Sequence, residues 1–268
     1  MTIQLVACDL DGTLVGPDLV FSSRVREAVR RAEAQGVTVT LATGRGYPAT
    51  RPFATQLAIR APLICYQGAQ IRRGDGSTLY ESLLPRRYLP PVIALCRDRG
   101  WELSAYCGDR VYQTTQIYEP AFYDRWFGLP LEQVCGLVKA LPGDPIKFII
   151  IAPTQIEGDE IERLLRAHAD GQFQVMRSHP QFVEGLARGV SKGDAVARLA
   201  RQMGIEREEV MAIGDSENDR SMVAWAGVGV AIGSATSEVK AVATVIAPAQ
   251  SQDGAAWAIE RYVLGDGA

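Results

Sequence analysis

What this sequence lacks narrows its reading first. Only two histidines and five cysteines occur in 268 residues. His168 and His179 have no metal-ligand spacing, and Cys8, Cys65, Cys96, Cys107 and Cys135 are odd in number and form no CxxC pair. Neither a zinc site nor a disulfide framework is indicated, and the cysteines are expected to be reduced, small core residues. A basic excess is also missing: 28 Lys and Arg stand against 31 Asp and Glu, a net charge of −3. No basic stripe follows from that balance, so a nucleic-acid partner is disfavoured. No segment approaches the ~20 apolar residues of a membrane span, and no basic stretch precedes the short apolar run near the N-terminus. A cytoplasmic protein without a membrane partner is the expectation. Internal repeats and low-complexity tracts are absent, and nothing in the sequence specifies an oligomeric state.

What is present is enough apolar material, 47% of residues, to build one large domain or two of ordinary size. At both ends of the chain strand and helix patterns alternate. "IQLVAC" reads as a strand, and "SSRVREAVRRAEAQG" as a helix with Ser22 or Ser23 as cap, apolar Val25, Ala28, Val29 and Ala32 on one face, and Gly36 as terminator. "VTVTLAT" returns as strand two. A helix over 47–59, with Pro52 as a potential interruption, leads to "PLICY" as strand three. The C-terminal part repeats the pattern, with helices over 191–204, 217–227, 237–243 and 253–264 around strands over 210–215, 228–232 and 244–247. This alternation predicts a doubly wound, Rossmann-like α/β core with a parallel sheet. The middle differs. After a hairpin turning at Asp75 and Gly76, strands at 101–107, 110–115, 146–152, 173–179 and 182–187 outnumber the helices between them. An α+β domain inserted over 84–187 is expected, the core being 1–83 and 188–268. Entering at the carboxyl ends of parallel strands, it would cover the place where such sheets bind ligands.

Chemistry concentrates at the strand ends. "VACDLDGTLV" places Asp9 and Asp11 two residues apart after an apolar run. Residues i and i+2 of a strand share a face, and two carboxylates about 4 Å apart repel by roughly 4 kcal/mol at an effective dielectric near 20. Strand two ends in Thr43, Gly44 and Arg45, and "VMAIGDSEND" ends in Asp215 with Asn218 and Asp219 close behind. If these ends converge, three or four carboxylates meet one lysine or arginine, and a cation is needed to hold them. Oxygen ligands of this kind suit Mg²⁺. Taken singly, each string has an ordinary reading: "DG" as a solvated turn, Thr43 as a strand end, Lys192 as an exposed residue in a helix's first turn. Turn chemistry does not explain why they recur in this order. Cys8 should point away from Asp9 and serve packing. Trp101, Trp126 and Trp225 are expected in the core, with Trp126, Tyr123 and Phe127 as an alternative lining for the insert's inner surface. His168 and His179 are expected on a surface helix and at a strand end.

The chain resembles the haloacid dehalogenase superfamily of phosphohydrolases, specifically the Cof-like group with a type II-B cap. The resemblance rests on "DLDGT" at 9–13, Thr43 in "LATGR", Lys192 in "SKGDA" and "GDSEND" at 214–219, in order and spanning essentially the whole chain. It implies a Mg²⁺-dependent phosphatase of a small phosphorylated metabolite, with a sugar phosphate as the leading substrate class. Asp9 would attack phosphorus to form an aspartyl-phosphate, and Asp11 would act as general acid and then general base. Thr43, Lys192 and the amides around Gly12 and Gly44 would hold the phosphoryl oxygens, with Asn218 and Arg45 near the phosphate or the substrate. Asp9, the Asp11 backbone carbonyl and Asp215 would hold the metal, with Asp219 as a further ligand or an orienter of metal-bound water. The cap would close to exclude water from the first half-reaction. Two departures stand out: Gln67-Gly68 replaces the family's frequent Asn-Gly, and Gly185 follows Glu184 where relatives carry a bulky aliphatic residue. Two other readings use the same residues. One is a phosphomutase that returns the group to a sugar. The other is a non-enzymatic phosphoacceptor, which would need neither Asp11 nor an inserted domain.

Overall fold

The computed structural model describes residues 2–266. They divide into two compact units, one built from the chain up to Gly44, Thr50–Leu79 and the chain from Ser191, the other from Arg45–Ala49 and Tyr80–Val190. The first unit is an α/β core around five parallel strands, ordered Val245–Ile246, Val228–Ala231, Val210–Gly214, Leu5–Cys8, Thr38–Leu41. The strand Leu5–Cys8 is wholly buried, which is why it reads as an unbroken apolar run rather than an alternating one. It lies between Thr38–Leu41 and Val210–Gly214, so the chain leaves it on one side and returns to it on the other. Ligands in such sheets bind beyond the carboxyl ends at that point of divergence.

Local signals act as their chemistry requires. Ser22 caps the helix Ser23–Ala34, its Oγ accepting from the Val25 amide at 3.1 Å. The helix Tyr47–Gln56 runs through Pro52 instead of stopping there. Strand three is present as Leu63–Cys65, which on one side pairs antiparallel with Gln70–Arg72, in a small sheet completed by Thr78–Glu81. On its other side it adjoins Thr38–Leu41 in parallel, through a bridge between Ala42 and Ile64, the Thr43 amide donating to the Ile64 carbonyl at 2.9 Å and Thr40 Oγ1 donating to the Pro62 carbonyl at 2.7 Å. The helix expected over 237–243 is the single turn Ser237–Lys240, and the last helix widens after Ile259 into a π-type turn over Glu260–Leu264. Cys8, Cys65, Cys96 and Cys107 are buried as expected, but Cys135 is exposed. Trp101 is buried, whereas Trp126 and Trp225 are only half-buried. Among the described residues, no helix is long and apolar enough to cross a membrane.

The second unit is the α+β insert. Its six strands run in the order Phe173–His179, Phe182–Ala187, Lys147–Ile151, Glu102–Cys107, Arg110–Gln113, Leu131–Gln133, antiparallel except for the last pair. Alternation sorts the faces: Leu103 and Ala105 join Phe148, Ile150, Ile161 and Leu165 in an apolar cluster with the helices Leu89–Arg99 and Gln155–Ala169. Glu102 and Ser104, on the opposite parity, point to the other face. There the Tyr123 hydroxyl donates to Glu102 at 2.6 Å, and Lys147 donates to Glu184 at 2.6 Å, both members of that ion pair being buried.

Gly185, the departure beside Glu184, is explained by its cross-strand partner. It pairs with Phe148, whose ring would lie 2.2 Å from a Cβ at that position. The ring covers the glycine, so a larger residue in the strand is excluded. Gly185→Ala should therefore destabilise the protein by about 1–3 kcal/mol through overpacking, read by urea unfolding. Phe148→Leu in the same chain should recover part of the loss, and a neutral Gly185→Ala would refute this account.

Candidate active site

Three separate segments of the core supply the carboxylates and the lysine of the site, and the sheet brings them together. Leu5–Cys8 delivers Asp9, whose amide donates to the Ile213 carbonyl at 2.9 Å, so the adjoining ends of Leu5–Cys8 and Val210–Gly214 are locked in register. The second end delivers Asp215. Ser191 caps the helix Lys192–Met203 and places Lys192 in its first turn. The lysine is fully buried, and its Nζ donates to Asp9 Oδ1 and Asp219 Oδ1, each at 2.6 Å. Asp219 is itself pinned, its Oδ2 accepting from the amides of Asp215 at 2.9 Å and Ser216 at 3.0 Å.

Asp215 is oriented by two hydroxyls, Thr13 Oγ1 donating to Oδ1 at 2.9 Å and Ser216 Oγ to Oδ2 at 3.0 Å. Neither residue was singled out from the sequence. The available signal was a hydroxyl directly beside each acidic string, Thr13 after "DLDG" and Ser216 after Asp215. Gly12 is there because the chain turns with φ +86°, and a Cβ would sit 2.6 Å from Asp215 Oδ2. Asp11 is half-buried, and its charge acts on the Asp9 carboxyl. Thr43 is buried at the end of strand two, its carbonyl accepting from the Gln67 amide at 3.0 Å. Gly44 lies against the Gln67 side chain. Asn218 Nδ2 donates to Gln67 Oε1 at 2.9 Å, so the substituted glutamine is a contact of the site. Arg45 follows Gly44, half-buried, and groups with the second unit.

Carboxylate oxygens of Asp9, Asp215 and Asp219 lie within 4.8 Å of one another. Burial, then Asp219, raises the Asp9 carboxyl well above the usual range, with Lys192 pulling it back and Asp215 and Asp11 pushing it up further. Burial and Asp219 likewise lift Asp215 to about 6, against the hydrogen bonds from Thr13 and Ser216 and the charge of Lys192. For Lys192, burial disfavours the ammonium, but Asp219 and Asp9 outweigh it and its pKa is raised. Three carboxylates thus share one buried cation, an imbalance that a hard divalent ion with oxygen ligands would correct. The residues fit such an ion.

A pH dependence follows for metal-free protein. A carboxyl whose folded pKa is raised favours folding while protonated, so the contribution of Asp215 is complete below its ordinary 3.8 and lost as pH climbs through about 6. In chelator, wild type should lose stability relative to Asp215→Asn between pH 4 and about 6, as followed by thermal melts. A constant difference across that range would contradict it.

The family model for haloacid dehalogenase-like hydrolases matches residues 6–259, and the chain belongs to that family. Within it, the chain is a Cof-like phosphatase whose insert is a type II-B cap. It is 31% identical over 264 residues to the 5-amino-6-(5-phospho-D-ribitylamino)uracil phosphatase YcsE of Bacillus subtilis, covering 98% of this chain and 96% of that protein. A haloacid dehalogenase-like hydrolase from Bacteroides thetaiotaomicron superposes with a TM-score of 0.86 at 30% identity, over 97% of this chain and 99% of that one. The subclass IIB sugar phosphatase BT4131 superposes with a TM-score of 0.81 at 26% identity, over 97% and 98%.

Proposed function

We propose that this phosphatase hydrolyses the monoester of a small phosphorylated metabolite, a sugar phosphate, through an aspartyl-phosphate on Asp9 and with Mg²⁺ as cofactor. The observation that carries the proposal is the buried ammonium of Lys192 held between Asp9 and Asp219, with Asp215 within reach. Asp9, the Asp11 carbonyl and Asp215 would hold the ion, with Asp219 as orienter. Bound there, it supplies charge that offsets the carboxylates and the phosphoryl oxygens.

The chain's own residues divide the remaining work. Lys192 fixes one oxygen of Asp9, which presents a carboxylate in a set direction. As the new Asp9 O–P bond forms, the ester P–O bond breaks, and Asp11 gives its proton to the leaving alcohol. Asp11 then takes a proton from the water that attacks the aspartyl-phosphate, releasing inorganic phosphate and restoring Asp9. Thr43, the amides at Gly12 and Gly44, Lys192, Asn218 and Arg45 are the proposed phosphate and substrate contacts. The segment 84–187 acts as the specificity cap on a core of 1–83 and 188–268. A sugar phosphate is the substrate class because YcsE is named for a ribityl phosphate and BT4131 as a sugar phosphatase.

The test is phosphate release from a panel of phosphorylated metabolites with Mg²⁺ or with chelator, combined with borohydride trapping of an acyl-phosphate. Expected are chelator-sensitive turnover, a preference for sugar phosphates, and label on Asp9. Chelator-resistant turnover or label elsewhere would overturn the mechanism.

A further inference from the structure

The amide pair Gln67–Asn218 has a property the mechanism above does not use. Asn218 Nδ2 is committed to Gln67 Oε1 at 2.9 Å, while Asn218 Oδ1 is buried and has no hydrogen-bond partner among the described residues. A buried acceptor without a donor is costly unless something arrives to satisfy it. Phosphate as the dianion has no proton to give. An alcohol hydroxyl has one.

The backbone holds this arrangement in place. Tyr66 and Gln67 both lie in the left-handed region, at φ 50° and 61°, followed by Gly68 at 98°. Two consecutive non-glycine residues there are uncommon and mark a conformation that its surroundings enforce. Those surroundings are the site itself. Gln67 is fully buried, and its amide donates to the Thr43 carbonyl. Gly44 has no side chain where a Cβ would lie 2.5 Å from Gln67 Nε2, and Gly68 packs so closely that a Cβ would lie 2.2 Å from the carbonyl of Ser191, the cap of the Lys192 helix. Thr43, Lys192 and Asn218 are thus tied together through one turn.

We propose that Gln67 is a positioning residue that turns the Asn218 carbonyl oxygen toward a hydroxyl of the substrate's alcohol part, so that the enzyme selects phosphate monoesters of polyhydroxylated alcohols. The inference rests on the phosphatase reading and adds how the leaving group is chosen. It assigns discrimination to the core's own amide pair.

The probes are ribitol 5-phosphate and pentyl phosphate, which share a five-carbon chain and differ in hydroxyls. Wild type should favour the first in kcat/KM by about tenfold or more, the scale of one well-placed hydrogen bond. Gln67→Leu should remove most of that preference, mainly by raising KM for ribitol 5-phosphate and leaving pentyl phosphate within about twofold, whereas Asn218→Ala, which also takes away a proposed phosphate contact, should slow both esters and abolish the preference. The double variant should be no worse than Asn218→Ala, because the glutamine acts through the asparagine. Gln67→Glu retains an acceptor for Asn218 Nδ2, so it should keep the ratio between the two esters even if both slow. Equal losses on both esters, or independent effects of the two positions, would overturn the inference and leave the phosphatase reading standing. No phosphate release by wild type from any phosphate monoester would overturn both.

Discussion

Replacing Asp9 by asparagine should suppress phosphate release by on the order of 10⁴-fold or more without lowering the melting temperature of metal-free protein. The two halves of this expectation have one cause. Asp9 is the proposed attacking group, and asparagine is a poor nucleophile at phosphorus. Yet the Asp9 carboxyl sits buried beside Asp219, Asp215 and Asp11, all of which resist its ionisation. Removing that charge relieves repulsion, while the carbonyl oxygen of the introduced amide can still accept from Lys192, which also keeps Asp219. The measurement pairs phosphate release with melts in chelator and in Mg²⁺. Mg²⁺ should raise the melting temperature of wild type more than that of the variant. Turnover within about tenfold of wild type would remove Asp9 from the chemistry.

Lys192→Met should be the most damaging single change to the fold of the site. The ammonium is fully buried and bonded to two carboxylates at 2.6 Å. Removing one member of a buried charge cluster leaves the others uncompensated, at a cost of about 3–5 kcal/mol. The loss should be largest at pH 8 and shrink at pH 5, because protonation of crowded carboxyls with raised pKa values relieves the imbalance. Turnover should fall by about 10²–10³-fold, the scale of one preorganised charge at a phosphoryl group. Urea unfolding at both pH values, with Mg²⁺ absent, separates the effects. A variant as stable as wild type at pH 8 would mean that the lysine is not balancing these carboxylates.

Much of the site could be read from the sequence because its chemistry is written in short strings at strand ends. Asp9, Asp215 and Asp219 are acidic residues in places where an apolar strand stops, and the parallel sheet needed to align them follows from the strand-helix alternation. The sequence could not say which carboxylate Lys192 would choose. In the structure it takes two, because Asp219 is folded back by amides of its own turn. Thr13 and Ser216 escaped notice since a hydroxyl in a turn is ordinary, and only the tertiary fold points both at Asp215. Gln67 was visible as an oddity but not as a partner of Asn218, a contact between residues 151 positions apart. The strand Leu131–Gln133 was missed because three residues at a sheet edge carry too little alternation to register.

The pairing of Leu5 with Val210 has a consequence for biosynthesis. Ribosomes deliver the first strand about two hundred residues before its neighbour on that side, which at 5–20 residues per second is roughly 10–40 s. During that interval a wholly apolar segment has hydrogen-bonding groups exposed along one edge, a template for unwanted association. The nascent polypeptide therefore cannot acquire its charge-balanced centre early, since Lys192 and Asp219 emerge late. Pairing of Thr38–Leu41 covers the opposite flank and leaves this edge open until Val210–Gly214 emerges.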